Sequence, residues 1–477
     1  MTIVVILHIL ILIGFGLRIL IRDDLEPPVR LAWLIILLVL PFIGAIIYFL
    51  FGEVDLGRSA NRRHDEVWAR MRRWGANFLG DPAVTDDLVD ARYRPAFRYS
   101  ASINGFHAVP GNRAELMTDA AETNRRLIAD IDGATDHVHV LYYIWLTDTT
   151  GTDVARALIR AAERGVTCRA LADGLGSRAL IRSDLWREMA DAGVQLGVAL
   201  PLRNPLRTMF TSRIDLRNHR KITVIDGSVT YCGSRNSADP EFRVKPKYAP
   251  WVDIMLRFTG PVVSQNQLLF ASDWAQTTGE NLDVIPVPPQ PADPAGFPAQ
   301  VMGDGPTERQ GATPQLFATL IASAHHRLTM STPYFVPDET VVQALMAAAF
   351  RGVEVTMIFP ENNDSWIVAG ASRSYYRQLL AAGVRIHEFR GGLLHAKTLT
   401  IDDTITLIGS TNVDLRSFDL NYENNILLQD RGTTEAVRAR QSEYLVSSRE
   451  VSEAEVLGWS WYRRARHNVL ATIGPVL

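Results

Sequence analysis

One pattern of chemistry is written twice in this chain. Residues 218–236 read NHRKITVIDGSVTYCGSRN and residues 394–412 read LHAKTLTIDDTITLIGSTN. Both obey His-x-Lys-x4-Asp-x6-Gly-Ser-x-Asn, giving His219, Lys221, Asp226, Gly233, Ser234 and Asn236, then His395, Lys397, Asp402, Gly409, Ser410 and Asn412. The surroundings repeat as well. ALIRAAERGV at 157–166 matches ALMAAAFRGV at 344–353, each between two apolar strand-like runs, and a second helix ends in AGV at 192–194 and at 382–384. Strand, helix, strand, helix in this order predicts βαβ units on a parallel or mixed sheet. Gly165 and Gly352 stand where a helix ends in a left-handed residue. A chain built this way is an α/β protein of two pseudo-symmetric halves, each a sheet flanked by helices.

The residue types in the repeat predict a reaction. On a strand, residues two apart face the same way, so each His lies beside its Lys. Each half then supplies an imidazole, a cation and the neutral donors of Gly-Ser-x-Asn. Two halves face to face make a phosphate-sized pocket with two imidazoles. That set suits phosphoryl transfer through a covalent intermediate: one His attacks phosphorus, and the other protonates the leaving oxygen and then activates the acceptor. Lys221, Lys397, Ser234, Asn236, Ser410 and Asn412 are the candidate phosphate binders. Asp226 and Asp402 complete the two catalytic motifs, at positions better suited to ordering a turn than to reacting. No metal or cofactor is required, and a set that interleaves Lys with His and lacks thiolates does not suit zinc. The symmetry does not choose between His219 and His395.

The first 55 residues have a different character. Leu31–Phe51 is a run of 21 residues without a charge, and Thr2–Ile21 is nearly as apolar. About 20 apolar residues cross a hydrocarbon core, so two transmembrane helices are expected, at about 2–21 and 31–51. The first lacks the basic start and small-residue cleavage site of a signal peptide. Arg58, Arg62, Arg63, Arg70, Arg72 and Arg73 follow the second run, which favours a cell-membrane protein with a cytoplasmic body. Its two cysteines, Cys168 and Cys232, cannot make a disulfide framework. With 49 Lys+Arg against 52 Asp+Glu, the net charge of −3 gives no overall attraction to nucleic acid. The expected organisation is an anchor over 1–55, a first half over 56–275, a Pro-rich connector over 276–310 and a second half over 311–477.

The paired motifs resemble those of the phospholipase D superfamily, and within it the bacterial cardiolipin synthases of the phospholipase D type. The resemblance extends to PFIGAIIYFLFG in the anchor, the YYIW and STPYFVPDE strands, GSTNVDLRSFDLNYENN after the second motif and a terminal GPVL. It implies one active site between two α/β halves and the condensation of two phosphatidylglycerols into cardiolipin and glycerol. It also implies His219 as nucleophile, forming a phosphatidyl-histidine, and His395 as general acid and base. Phosphatidylglycerol and anionic membrane lipids are the implied partners. Hydrolysis, or transfer to another alcohol, is the alternative on the same site. A nuclease fits the membrane runs poorly, and a non-catalytic scaffold fits two intact motifs poorly. The oligomeric state is not specified.

Imidazoles in such sites need a carboxylate to fix tautomer and orientation. Asp253 in WVDIML lies 34 residues after His219, and Glu423 in NYENNILL lies 28 residues after His395. Both are expected to support a histidine, as similar acids do in the superfamily; the spacing leaves open which acid serves which. Ahead of the first motif, residues 200–217 read LPLRNPLRTMFTSRIDLR and make this half 14 residues longer than the other between AGV and His. Arg203, Arg207, Arg213 and Arg217 among apolar residues there suit either a solvated loop or a segment at an anionic membrane surface. The C-terminal WSWYRRARHNVLATIGPVL is also basic and apolar, and suits packing on the body ahead of membrane contact.

Overall fold

The computed structural model describes residues 2–23, 25, 27–40, 42–52, 58–201, 215–280 and 292–472. Two compact units are present, one of residues 1–62 and 202–216, the other of nearly all the rest.

In the first unit the helices are Thr2–Ile21, Pro27–Val39 and Ile43–Phe51. Ile19, Leu37, Ala45 and Tyr48 form a small buried cluster, with Phe15 and Trp33 edge-on to Tyr48 at 5.6 and 5.1 Å. The first expected span is one helix over the same residues. The second is not continuous, and among the described residues no helix is both long and apolar enough to cross a membrane. The helix from Pro27 ends at Val39, two positions before a proline in the sequence, a residue type that disfavours a helix interior. Phe42 then takes a left-handed φ of 60° before the next helix.

In the second unit the halves share one continuous 16-stranded sheet. In the first half, the parallel strands His137–Tyr142, Thr167–Asp173 and Gln195–Ala199 lie at one end. In the second half their counterparts Arg327–Ser331, Glu354–Pro360 and Arg385–Phe389 lie toward the other. Antiparallel motif strands follow inward, Lys221–Ile225 with Val229–Gly233 and Thr398–Ile401 with Ile405–Gly409. At the centre Val109–Leu116 pairs antiparallel with Phe297–Asp304, one from each half. Residues 297–304 were expected in the connector. They are instead a central strand, paired on its other side with Asn421–Gln429. Residues 281–291 of the connector, 202–214 of the Arg-rich insertion and the terminal 473–477 lie outside the described residues. Gly165 and Gly352 have φ of 89° and 88°, the left-handed helix ends that the repeat predicts.

Asp226 and Asp402 prove to be turn residues in both halves, which corrects their place in the catalytic set. Each stands at the far end of its motif strand, five residues and roughly 16 Å from its Lys at a strand rise of ~3.3 Å. Asp226 (φ 50°) accepts backbone N–H from Thr135, Asp136 and His137, each at 2.9 Å. Asp402 (φ 48°) accepts from His326 at 2.8 Å, from His325 and Arg327 at 3.2 Å, and from the Tyr93 hydroxyl at 3.0 Å. Burial opposes ionisation at both carboxyls, but these donors outweigh it and hold each below its ordinary range. Asp226→Ala or Asp402→Ala should therefore lower unfolding stability by about 1–3 kcal/mol. Turnover per folded molecule should stay near wild type, as denaturant unfolding alongside an activity assay would show.

Candidate active site

An exchange of strand segments between the halves builds the site. In the first half, Arg217–Asn218 pairs in parallel with Asn421–Tyr422 of the second, and the His219 N–H donates to the Tyr422 carbonyl at 2.9 Å. In the second half, Leu393–Leu394 pairs in parallel with Trp251–Val252 of the first, and the His395 N–H donates to the Val252 carbonyl at 2.8 Å. The residue after each acceptor is an acid, Glu423 in one case and Asp253 in the other. The acids therefore cross over. His219 Nδ1 lies 2.9 Å from both Glu423 oxygens, and His395 Nδ1 lies 2.6 Å from Asp253 Oδ1. With Nδ1 committed to a carboxylate, Nε2 of each ring is left for substrate.

The Gly-Ser element fixes the acids. A side chain at Gly233 would collide with the Ile254 carbonyl, and one at Gly409 with the Asn424 carbonyl. Only glycine lets these strands run so close that Ser234 donates to Asp253 Oδ1 at 2.6 Å and Ser410 to Glu423 Oε2. A hydroxyl has one proton, and here it is directed at the acid. The serines, expected among the phosphate binders, are placed as supports of Asp253 and Glu423. The asparagines differ from each other. Asn236 accepts the Ile144 N–H at 3.1 Å, leaving its buried Nδ2 donor without a protein partner. Asn412 Nδ2 donates to Ser417 at 3.1 Å. The two lysines are buried and alike: Lys221 Nζ donates to the His219 carbonyl at 2.6 Å, and Lys397 Nζ to the His395 carbonyl at 2.8 Å.

Burial sets the protonation states. It pushes His219 well below its ordinary value, reinforced by Lys221, Lys397 and His395, so the ring is neutral. Glu423 is pushed up to about 7 by burial, against the pull of Lys221. Burial also raises Asp253, but His395, Lys397 and Ser234 outweigh it and hold that carboxylate ionised. The two pairs are thus unequal. Asp253 draws a proton toward His395, but burial and Lys397 outweigh it and lower that ring to about 4, whereas Glu423 beside His219 shares its proton near neutrality.

Several site residues carried no motif signal. The Tyr143 ring meets His219 edge-on at 4.8 Å, under the Lys221 ammonium at 5.6 Å. Trp251 packs on His395 at 4.5 Å and is itself stacked on Phe242 at 4.0 Å. Arg220, between His219 and Lys221, points to the opposite side of the strand by the two-residue alternation. It is buried and donates to Glu423 O at 3.0 Å, Asp273 Oδ1 at 2.6 Å and Asp304 O at 3.1 Å. The matching residue of the second motif is Ala396. That HRK/HAK difference was the only visible hint.

Comparison with known proteins places the chain. The model for "Cardiolipin synthase, PLD-like domain" matches residues 127–247 and 317–444, and "Phospholipase_D-nuclease N-terminal" matches residues 1–53. The chain belongs to the phospholipase D-like cardiolipin synthase family. Cardiolipin synthase A of Serratia proteamaculans is 34% identical over 98% of this chain and 96% of its own. The Erwinia tasmaniensis protein of the same name is 35% identical over the same shares. Among solved structures, phosphatidylserine synthase of Haemophilus influenzae has the same fold, with a TM-score of 0.60 and 14% identity over 81% of this chain and 100% of that one.

Two outcomes follow. Arg220→Gln leaves the buried Asp273 carboxylate unpaired and should cost about 3–5 kcal/mol in unfolding stability, which Arg220→Met with Asp273→Leu should largely restore. The raised Glu423 pKa also carries a sign. The folded state keeps a proton that the unfolded state has lost between pH 4.5 and about 7, so this group's contribution to stability falls as pH rises through that window. Glu423→Gln has no such proton. Its unfolding midpoint should decline less than that of wild type from pH 5 to pH 8.

Proposed function

We propose that the chain is a membrane-bound phosphatidyl transferase that condenses two phosphatidylglycerols into cardiolipin and glycerol. The observation that carries the mechanism is the pair of crossed imidazole–carboxylate contacts, with both lysines beside them. His219 Nε2 attacks phosphorus of the first phosphatidylglycerol and the bond from phosphorus to the glycerol head-group oxygen breaks. His395 takes up a proton from solvent as the anionic phosphodiester offsets the charge of Lys221 and Lys397, gives it from Nε2 to that oxygen, and glycerol leaves. The head-group hydroxyl of a second phosphatidylglycerol then loses its proton to His395 and attacks phosphorus. The phosphorus–nitrogen bond breaks and His219 is regenerated. Lys221, Lys397 and the Asn236 amide donate to the phosphoryl oxygens as charge builds on them. Burial lowers both rings, His219 well below its ordinary value and His395 to about 4, and giving the attack to the first motif and the proton transfer to the second rests on the superfamily resemblance.

The anchor is the N-terminal unit. Leu10 and Ile13 are 61% exposed and Leu38 is 67% exposed. Apolar surface of this kind favours a lipid environment over water. The helix Thr2–Ile21 and the broken pair Pro27–Val39 and Ile43–Phe51 provide two passages, and the Arg-rich segment that follows supports a cytoplasmic body at the cell membrane.

Purified full-length protein in phosphatidylglycerol micelles should release cardiolipin and glycerol in equal amounts. Phosphatidic acid without cardiolipin would mean hydrolysis instead. His219→Ala should abolish both cardiolipin and the acid-labile phosphatidyl-enzyme. His395→Ala should slow turnover by about 10²–10⁴-fold. Cardiolipin formation by His219→Ala at the wild-type rate would refute the nucleophile.

A further inference from the structure

The C-terminal helix Trp461–Thr472 lies away from the catalytic machinery. One side of it packs on the body: Leu470 is buried with Val336 and Ala371, and a side chain at Gly370 would occupy the space that Leu470 fills. The other side is exposed, with Trp461 at 74%, Tyr462 at 67% and Val469 at 59%. Between this helix and residues 373–377 is a cavity of about 360 Å³. Its lining includes the guanidinium groups of Arg373, Arg377 and Arg464 and no carboxylate.

The charges are not balanced nearby. Arg373 is held by Glu388 at 3.2 Å, but Arg377 and Arg464 have no acid partner among the described residues. Trp459 and His467 also line the cavity, and their buried Nε1 and Nδ1 have no hydrogen-bond partner among the described residues. His467 is only 2% exposed. Guanidinium groups pair with phosphate oxygens in parallel hydrogen bonds. Exposed Trp and Tyr beside basic residues favour the head-group level of a bilayer.

We infer that this cavity is a binding site for the head group of an anionic phospholipid, separate from the catalytic site, and that Trp461 and Tyr462 enter the same leaflet. The phosphodiester sits between Arg377 and Arg464, and the acyl chains pass beside the exposed aromatic rings. None of the lining residues surrounds His219 or His395, so the site stands whether or not the proposed transfer reaction does.

The test uses full-length protein in neutral phosphatidylcholine nanodiscs, titrated with chain-brominated phosphatidylglycerol or chain-brominated phosphatidylcholine, with tryptophan emission as readout. Brominated phosphatidylglycerol should quench more than the phosphatidylcholine, and Trp461→Phe should remove much of the excess. Arg377→Gln with Arg464→Gln should raise the mole fraction for half-maximal quenching by roughly 30-fold, at about one kcal/mol for each arginine. Arg464→Gln alone should give an intermediate shift. Inorganic phosphate should leave the quenching unchanged. Each variant should unfold near the wild-type midpoint and keep its turnover in phosphatidylglycerol micelles. Equal quenching by the two lipids would overturn the inference, as would quenching that survives Trp461→Phe, an unshifted titration in both arginine variants, or full displacement by inorganic phosphate. If wild type makes no cardiolipin but the quenching behaves as stated, the transfer reading fails and this site stands.

Discussion

The contact on which the rest depends is the crossed pairing of each imidazole with a carboxylate from the other half. A histidine buried beside two lysines is costly to hold in one tautomer without a carboxylate on Nδ1. Here that carboxylate is delivered by backbone pairing. His219 binds the Tyr422 carbonyl and His395 binds the Val252 carbonyl, so Glu423 and Asp253 arrive beside them as the next residues. Neither half completes a site alone. The central pairing of Val109–Leu116 with Phe297–Asp304 joins the two sheets around this exchange.

The site concentrates charge where water is scarce. Two lysines, two histidines and two acids are each nearly buried, and their mutual contacts offset the desolvation that each would suffer alone. Burial lowers Lys221 to about 8, with Glu423 and Asp253 opposing the shift. A phosphodiester entering this pocket brings the negative charge that two such lysines lack. That is a condition for stabilising an expanding phosphoryl group without reorganising solvent.

Pseudo-symmetry is broken between the His and Lys of the two motifs. Arg220 ties the first motif strand to Asp273 and to the Glu423 backbone. At the matching place Ala396 is buried among apolar side chains. The first-motif half thus has a buried Arg–Asp pair behind its strand, and the second-motif half has the shorter histidine–carboxylate contact.

The repeat, the order of its strands and helices, and the two His-x-Lys pairs were legible because they rest on local periodicity and spacing. The two acids were legible as candidates, since each lies in an apolar strand-like run after its motif. Their crossing was not, because a parallel strand exchange between residues 204 apart leaves no periodic trace. The roles of Ser234 and Ser410 were misread for a related reason: a hydroxyl can donate to a phosphate or to an acid, and only its neighbours decide. Asp226 and Asp402 looked catalytic by membership of the motif, but a strand's length separates them from the lysines. Phe297–Asp304 looked like connector because strand pairing at the centre of a sheet overrides a weak local signal. By itself, then, the sequence determined the α/β repeat and the residue types of the chemistry, which are properties of neighbours along the chain. Which acid holds which histidine was decided only by the tertiary structure, because those contacts form between halves that fold against each other.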